Sequence, residues 1–356
     1  MGDESLESLR EQIRLIDLDL VTLAARRIAL GKRVGDIKRR QGISTVDYAQ
    51  ERAVLDRARS AAGEQGIDPR LAEDLFTTLI RASVSAQAED SMRFAAPGAG
   101  KSAVVVGGAG RMGRWLRHFL TALGYATDVI DPAAAADDNS RARRALPSAD
   151  LIVCSIPPTG IARLYDEFAK APPAGIVVDI ASIKTPVIAP IRTLRAAGVR
   201  VASIHPMFGP SAVLLRDADV VICDTGDAEA NSFVERLFQP TTARLVYLPL
   251  EEHDHIMADL LSLAHATAIA FALSLPQTEH PVRSTTFQAL ESLAAAVVRE
   301  SPEVYYEIQA GNPHSVDALE RLRLALDRLV ASIKECDSER FGTLFDEGRR
   351  RTPETT

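Results

Sequence analysis

Residues 102–113 read Ser-Ala-Val-Val-Val-Gly-Gly-Ala-Gly-Arg-Met-Gly: an apolar strand pattern that runs directly into Gly108-Ala109-Gly110-Arg111-Met112-Gly113 and then into a helical pattern. A strand, a Gly-x-Gly-x-x-Gly turn and a helix in that order predict a dinucleotide cradle. Gly108 is expected to allow the tight turn, Gly110 to let the backbone approach a pyrophosphate, and Gly113 to let the helix lie close to the strand, while unpaired N–H groups of the first helical turn face the phosphates. The next strand pattern, Thr127–Ile130, ends in Asp131, 18 residues past Gly113. An acid about 20 residues on takes the ribose hydroxyls of NAD and repels the extra phosphate of NADP, so NAD is the expected cofactor. The cradle begins about a hundred residues into the chain, so another region precedes it.

The 356 residues are 46% hydrophobic and carry a net charge of −7, which suits two or three domains with substantial cores. No basic block opposes the acidic balance, so neither nucleic acid nor a membrane surface is an expected partner. Cys154 and Cys223 fall in apolar strand-like runs, which predicts buried free thiols in a reducing cytoplasm. The N-terminus, Met-Gly-Asp-Glu-Ser, has no apolar segment of the secretory kind. Ile256–Leu275 is long and apolar but carries Asp259 and His265, so it is expected to be a buried, intersubunit helix rather than a membrane span. No metal site is expected.

Leu6, Leu9, Ile13, Ile16, Leu20, Leu23, Leu30, Val34 and Ile37 recur three and four apart, or at multiples of that spacing, as in a long helix packed lengthwise on others. Continuing the spacing from Leu23 reaches Arg27, a charge at a seam position that requires a partner or an anionic ligand. Asp47 is a helix cap with Gln50 at the reciprocal position, and Asp68-Pro69 starts a third helix. Along that helix Phe76, Ile80, Ser83 and Gln87 share one stripe, so two hydrogen-bonding groups continue an apolar face into the interior.

Three helices, the first unusually long, with such groups directed inward resemble the all-helical chorismate mutases. The resemblance places Arg10, Arg27, Lys38, Asp47, Glu51, Ser83 and Gln87 in that family's active-site positions. It implies that Arg10 and Arg27 hold carboxylates while Lys38 and Gln87 serve the ether oxygen, which gains charge as its bond breaks. Where the family usually has a further arginine this chain has Gln50.

Ser91–Lys101, with Ala-Ala-Pro-Gly-Ala-Gly, has a linker's composition. Leu151–Ile156, Gly175–Ile180, Arg200–Ile204 and Asp219–Asp224 then alternate with helical stretches, predicting a doubly wound parallel sheet of Rossmann type. From Glu251 the pattern is helical. The expected organisation is an all-α bundle over 1–90, a linker over 91–101, a dinucleotide-binding α/β domain over 102–250 and an all-α substrate and dimerisation domain over 251–350. Asp179-Ile180-Ala181-Ser182-Ile183-Lys184 and His205-Pro206-Met207-Phe208-Gly209-Pro210 follow strands, where open α/β sheets bind ligands.

With the glycine turn and Glu252-His253-Asp254, these runs resemble the prephenate dehydrogenases. The order of the two regions resembles the bifunctional chorismate mutase/prephenate dehydrogenases of tyrosine biosynthesis over nearly the whole chain. The resemblance implies that His205 is catalytic, that Ser182 helps to hold it and the substrate, that His265 lines the site, and that the enzyme is a homodimer. Ala296 stands where the family has an arginine for the ring carboxylate, with Arg283 and Arg299 as candidate substitutes. Two missing arginines leave an alternative, the same reactions on 4-amino-4-deoxychorismate and 4-amino-4-deoxyprephenate, because a ligand amino group is repelled by a nearby cation. A dehydrogenase with a non-catalytic, mutase-like module is a second alternative.

Overall fold

The computed structural model describes residues 5–43, 47–212, 215, 218–276 and 282–352; the acidic N-terminal residues 1–4 lie outside them. The chain forms two compact units, one of residues 1–156, 168–180 and 194–247 and the other of 157–167, 181–193 and 248–356.

The first unit opens with α1 (Leu6–Arg40), whose start is capped by Ser5 accepting from the Ser8 N–H and whose last turn carries Lys38, Arg39 and Arg40 against the negative helix end. Asp47 caps α2 (Tyr48–Glu64) by accepting from the Gln50 N–H, and Asp68 caps α3 (Pro69–Ala95) by accepting from the Arg70 N–H, with Pro69 in its first turn. α3 runs to Ala95, so the first five residues of the expected linker are helical, and the chain turns at Ala96 with φ +34°. All nine apolar residues of the predicted α1 stripe are exposed in the single chain, and Gly35 is the buried residue of this helix. The lengthwise packing expected for that stripe is therefore not supplied by this chain's own helices.

The sheet follows: β1 (Ser102–Val106), α4 (Arg111–Ala122), β2 (Ala126–Ile130), α5 (Ala136–Ala145), β3 (Leu151–Cys154), α6 (Pro158–Lys170), β4 (Ile176–Asp179), α7 (Thr185–Ala196), β5 (Val201–Pro206), β6 (Asp219–Asp224), α8 (Ala228–Phe238) and β7 (Arg244–Pro249). Strand order is β2-β1-β3-β4-β5-β6-β7. β1 to β5 pair in parallel, as near-continuous Val/Ile runs buried on both faces require. β6 departs from the fully parallel expectation: it runs antiparallel to β5, with His205 opposite Val221. A short apolar run does not encode its direction, and the connection from β5 to β6 contains no helix among its described residues.

The second unit contains α9 (His253–Met257), a π-helical turn (Ala258–Leu263), α10 (Ala264–Ser274), α11 (Thr285–Val298), α12 (Pro302–Gly311), α13 (Ser315–Lys334) and α14 (Ser338–Arg351). The π turn frees a carbonyl that the Gln309 amide satisfies at 2.9 Å, and the Ser262 hydroxyl meets that of Ser315 at 2.7 Å. Among the described residues one helical stretch, His253–Ser274, is long and apolar enough to cross a membrane by length and composition. Its Asp259 pairs with Arg321 on α13. Only 22% of its most apolar window is buried inside the chain, so the burial expected for it is not provided by this copy alone. Cys154 and Cys223 are buried free thiols, as their strand patterns predict.

Candidate functional site

Between α1 and α3 the backbones approach closely because α1 presents Gly31 and Gly35. A Cβ on Gly35 would stand 2.7 Å from Gln87 Cγ, and one on Gly31 would stand 3.0 Å from Ser83 Cβ. Ser83 and Gln87 are each 7% exposed, so the two polar groups predicted to continue the apolar stripe do enter the interior. Arg27 donates through Nη1 to the Leu79 carbonyl at 2.9 Å and to Ser83 Oγ at 3.0 Å, with its guanidinium 5.9 Å above the Phe76 ring. Its partners are neutral, so its charge is uncompensated there, and burial pushes its pKa down. Lys38, one turn beyond Gly35, lies 3.8 Å from the Asp47 carboxylate, and Glu51 follows in the first turn of α2. One chain thus assembles Arg27, Lys38, Asp47, Ser83 and Gln87 around the α1–α3 contact. Arg10 is exposed near the other end of α1 and does not join them. The 17 residues from Arg10 to Arg27 span about 25 Å of helix. The glycine pair escaped the sequence reading although its spacing of four was visible, because a glycine inside a helix signals close approach only once the facing helix is known.

At the carboxyl end of β1, the φ of +85° that demands glycine belongs to Gly107, not to Gly108 as the motif suggested. Gly108 is required for a different reason, since its Cβ would stand 2.6 Å from Val129 on β2. Gly113 has the expected role: a Cβ would lie 2.1 Å from the Gly107 carbonyl oxygen. Gly110 caps α4 with no side-chain hydrogen bond, and a Cβ there would meet only the Gly107 oxygen, at 3.2 Å. The first-turn N–H groups at Arg111, Met112 and Gly113 therefore face an open approach. Asp131, just past β2, accepts from the Ala109 N–H at 3.0 Å and the Ala133 N–H at 2.9 Å, which fixes a carboxylate beside the turn. Uncapped donors, an open glycine and a ribose-reading acid fit a dinucleotide.

His205, 5% exposed, lies near the carboxyl end of β5. It shares a sheet face with Ser203, whose hydroxyl donates to the fully buried Asp179 carboxylate at 3.0 Å. Cys154, Asp179, Ser203 and Cys223 are lateral neighbours in register across four strands. Burial and the Asp179 charge push the Cys154 thiol pKa strongly up, which leaves it an inert packing group.

In the second unit Ser182 is half-buried in the turn before α7. Asp254 holds the end of that turn: its carboxylate accepts from the Lys184 and Thr185 N–H groups at 2.7 Å each and from the Thr185 hydroxyl at 2.6 Å. His253 Nδ1 lies 2.7 Å from the same carboxylate and, facing an acceptor-only group, carries the proton. Burial pushes the Asp254 pKa up, but the hydrogen bonds from His253, Thr185 and Lys184 outweigh it and hold the pKa below the usual carboxylate value. The Glu252-His253-Asp254 run was visible in the sequence; the cap it places on a helix about 70 residues away was not. His265 stacks edge-on against Tyr305 at 4.6 Å, its Nδ1 is buried without a hydrogen-bond partner among the described residues, and burial lowers its pKa. Ala296 is exposed on α11, Arg283 is ion-paired with Glu291 at 3.0 Å, and Arg299 caps the end of α11, so neither arginine is assigned to the ring carboxylate.

Residues 9–88 match the family model of type II chorismate mutases, and residues 125–247 match that of the prephenate dehydrogenase nucleotide-binding domain, a match that starts after the glycine turn. The T-protein of Enterobacter agglomerans is 28% identical over 350 residues, covering 96% of this chain and 91% of the relative. The 4-amino-4-deoxyprephenate dehydrogenase of Streptomyces pristinaespiralis is 31% identical over 266 residues, 69% of this chain and 89% of the relative. Among solved structures, the prephenate dehydrogenase of Aquifex aeolicus in complex with hydroxyphenyl propionate and NAD+ superposes with a TM-score of 0.55 at 19% identity, over 70% of this chain and 97% of that one, a likeness of fold.

Proposed function

We propose an assignment of residues to two reactions, from the premise that this chain belongs to the prephenate dehydrogenase family and carries a type II chorismate mutase domain ahead of the dehydrogenase. The enzyme rearranges chorismate to prephenate and oxidatively decarboxylates prephenate to 4-hydroxyphenylpyruvate with NAD, in tyrosine biosynthesis. Relatives with both regions cover nearly the whole chain, whereas the 4-amino relative covers the dehydrogenase part alone, so the 4-amino alternative is not favoured.

The rearrangement is pericyclic and needs no nucleophile, only a clamp on a dianion and donors to an oxygen that gains charge. Arg27 clamps a substrate carboxylate, Ser83 orients Arg27, Lys38 and Gln87 donate to the ether oxygen, and Asp47 and Glu51 hold Lys38 and the substrate hydroxyl. Arg10 serves the site of a second copy. The exposed stripe of α1 is what a homodimer would cover, and a groove of about 610 Å³ lined by Arg27, Val54, Ala58, Leu71, Leu75 and Phe76 is a place for another helix to lie. The exposed face of His253–Ser274 is a second surface for the same partner copy.

In the second reaction NAD, when bound, accepts the hydride from C4 as carbon dioxide leaves C1. Gly108, Ala109, Gly110, Arg111, Met112 and Gly113 cradle its pyrophosphate and Asp131 takes its ribose. His205 accepts the C4 hydroxyl proton as carbonyl character develops, and Ser182 and His265 position the substrate. Free buried thiols suit a cytoplasmic setting. The observation that supports the reading is the co-occurrence, in one chain, of the polar α1–α3 contact and of a glycine turn, Asp131 and His205 at the carboxyl edge of one sheet. The test is His205→Asn: NADH formation from prephenate should fall by roughly 10²–10⁴-fold while chorismate consumption and NAD binding persist. A fall of less than about threefold would make His205 structural.

A further inference from the structure

A cleft of about 530 Å³ lies between α3 and α4, a volume in the range of small-molecule sites. It is lined on α3 by Ser85, Ala88, Glu89 and Met92, which face away from Ser83 and Gln87 on the same helix. From α4 it takes Arg111, Arg114, Trp115 and His118, spaced three, one and three along one face.

Two properties set this cleft apart from an ordinary helix contact. Its floor is aromatic: Trp115 stacks on Phe119 at 5.1 Å and meets Phe208 edge-on at 4.9 Å. The indole N–H is already used, donating to the Ala212 carbonyl at 2.9 Å, so the ring offers its face rather than a donor. Its rim is cationic. Two arginines and a histidine line it, and the one carboxylate, Glu89, is bound to Arg93 at 2.6 Å. Buried helix contacts exclude such charges unless something pairs with them. Thr242, on the same lining, has a hydroxyl oxygen that is buried and without a hydrogen-bond partner among the described residues, an unspent group of the kind that native structures rarely leave.

We propose that this cleft binds an aromatic carboxylate of about the size of phenylpyruvate, at a place separate from both catalytic centres. The ring lies on the Trp115 and Phe119 surface, the carboxylate pairs with Arg111 and Arg114, and the Thr242 hydroxyl bonds the ligand's remaining polar group. The occupant touches the helix that carries Ser83 and Gln87 on its other face and the helix that opens the cofactor turn, so it contacts an element of each reaction.

Trp115 is the single tryptophan of the chain, so its emission reports occupancy directly. The full-length protein is titrated with phenylpyruvate, and with pyruvate as the probe that keeps the carboxylate and lacks the ring. A saturable change in emission is expected with phenylpyruvate and at least about tenfold weaker binding with pyruvate. The signal should persist in saturating NAD and prephenate and weaken about tenfold or more in Arg114→Leu and in Ala88→Phe, which fills the cleft. Ala88→Phe is expected to keep the wild-type KM for prephenate and the wild-type unfolding temperature, and it carries the test alone where Arg114→Leu fails to fold. No saturable change, displacement by NAD or prephenate, or undiminished binding in Ala88→Phe would overturn the proposal.

Discussion

Gly35→Ala tests how the N-terminal site is built. The added methyl would lie 2.7 Å from Gln87 Cγ, 3.2 Å from Cδ and 3.3 Å from Cβ, against an ordinary carbon separation of about 3.5–4.0 Å, so Gln87 must move by about 1 Å. Alanine is better than glycine inside a helix by about 1 kcal/mol, while overpacking a tight contact costs about 1–3 kcal/mol. The net loss of stability is therefore small, about 0–2 kcal/mol. Function should respond far more, since a misplacement of about 1 Å in a positioning group costs roughly 10²-fold in rate. The assay pairs chorismate turnover with thermal unfolding, using Gly63→Ala on α2 as the control. A Cβ there meets nothing within 4 Å, so that variant should gain up to about 1 kcal/mol and keep its mutase rate. A Gly35→Ala protein that folds and turns chorismate over within about threefold of the original rate would refute the assignment of Gln87.

Asp131→Ala should narrow the preference for NAD over NADP by about tenfold, or about 1.4 kcal/mol, read from kcat/KM with each cofactor; an unchanged ratio would remove Asp131 from the ribose site. Asp254→Asn keeps one acceptor for donors that now share two and should cost about 3 kcal/mol. Because the Asp254 pKa is held below its ordinary value, its contribution is fully present above the carboxylate range near pH ~4 and is lost as pH falls through the folded pKa. Acid unfolding of the variant should therefore be less pH-dependent than that of the parent, and parallel acid limbs would exclude this role.

Much of this was legible in the sequence because its signals are local. The glycine turn, the helix caps at Asp47 and Asp68, the alternation of strands and helices, and the inward polar pair Ser83 and Gln87 each depend on residues a few positions apart. What the sequence hid depends on distant partners. Gly107 rather than Gly108 takes the positive φ because the turn is shaped by Ser155 and Ile156 on the neighbouring strand's exit, which a Cβ on Gly107 would strike. The antiparallel course of β6 is set by its connection, not by its Val-Val-Ile-Cys run. Asp254 caps a helix that is remote in sequence, and no spacing rule joins it to Lys184 and Thr185. The exposed α1 stripe repeats the lesson at a larger scale, since the periodicity announced a packed seam without saying which chain supplies the other side.

The central claim, that one chain performs both reactions on the hydroxylated substrates, is tested most directly by supplying the purified protein with chorismate and NAD alone. The account predicts that chorismate is consumed and that NADH and 4-hydroxyphenylpyruvate accumulate in equal amounts. Chorismate left untouched, or converted to prephenate with no NADH formed, would contradict it.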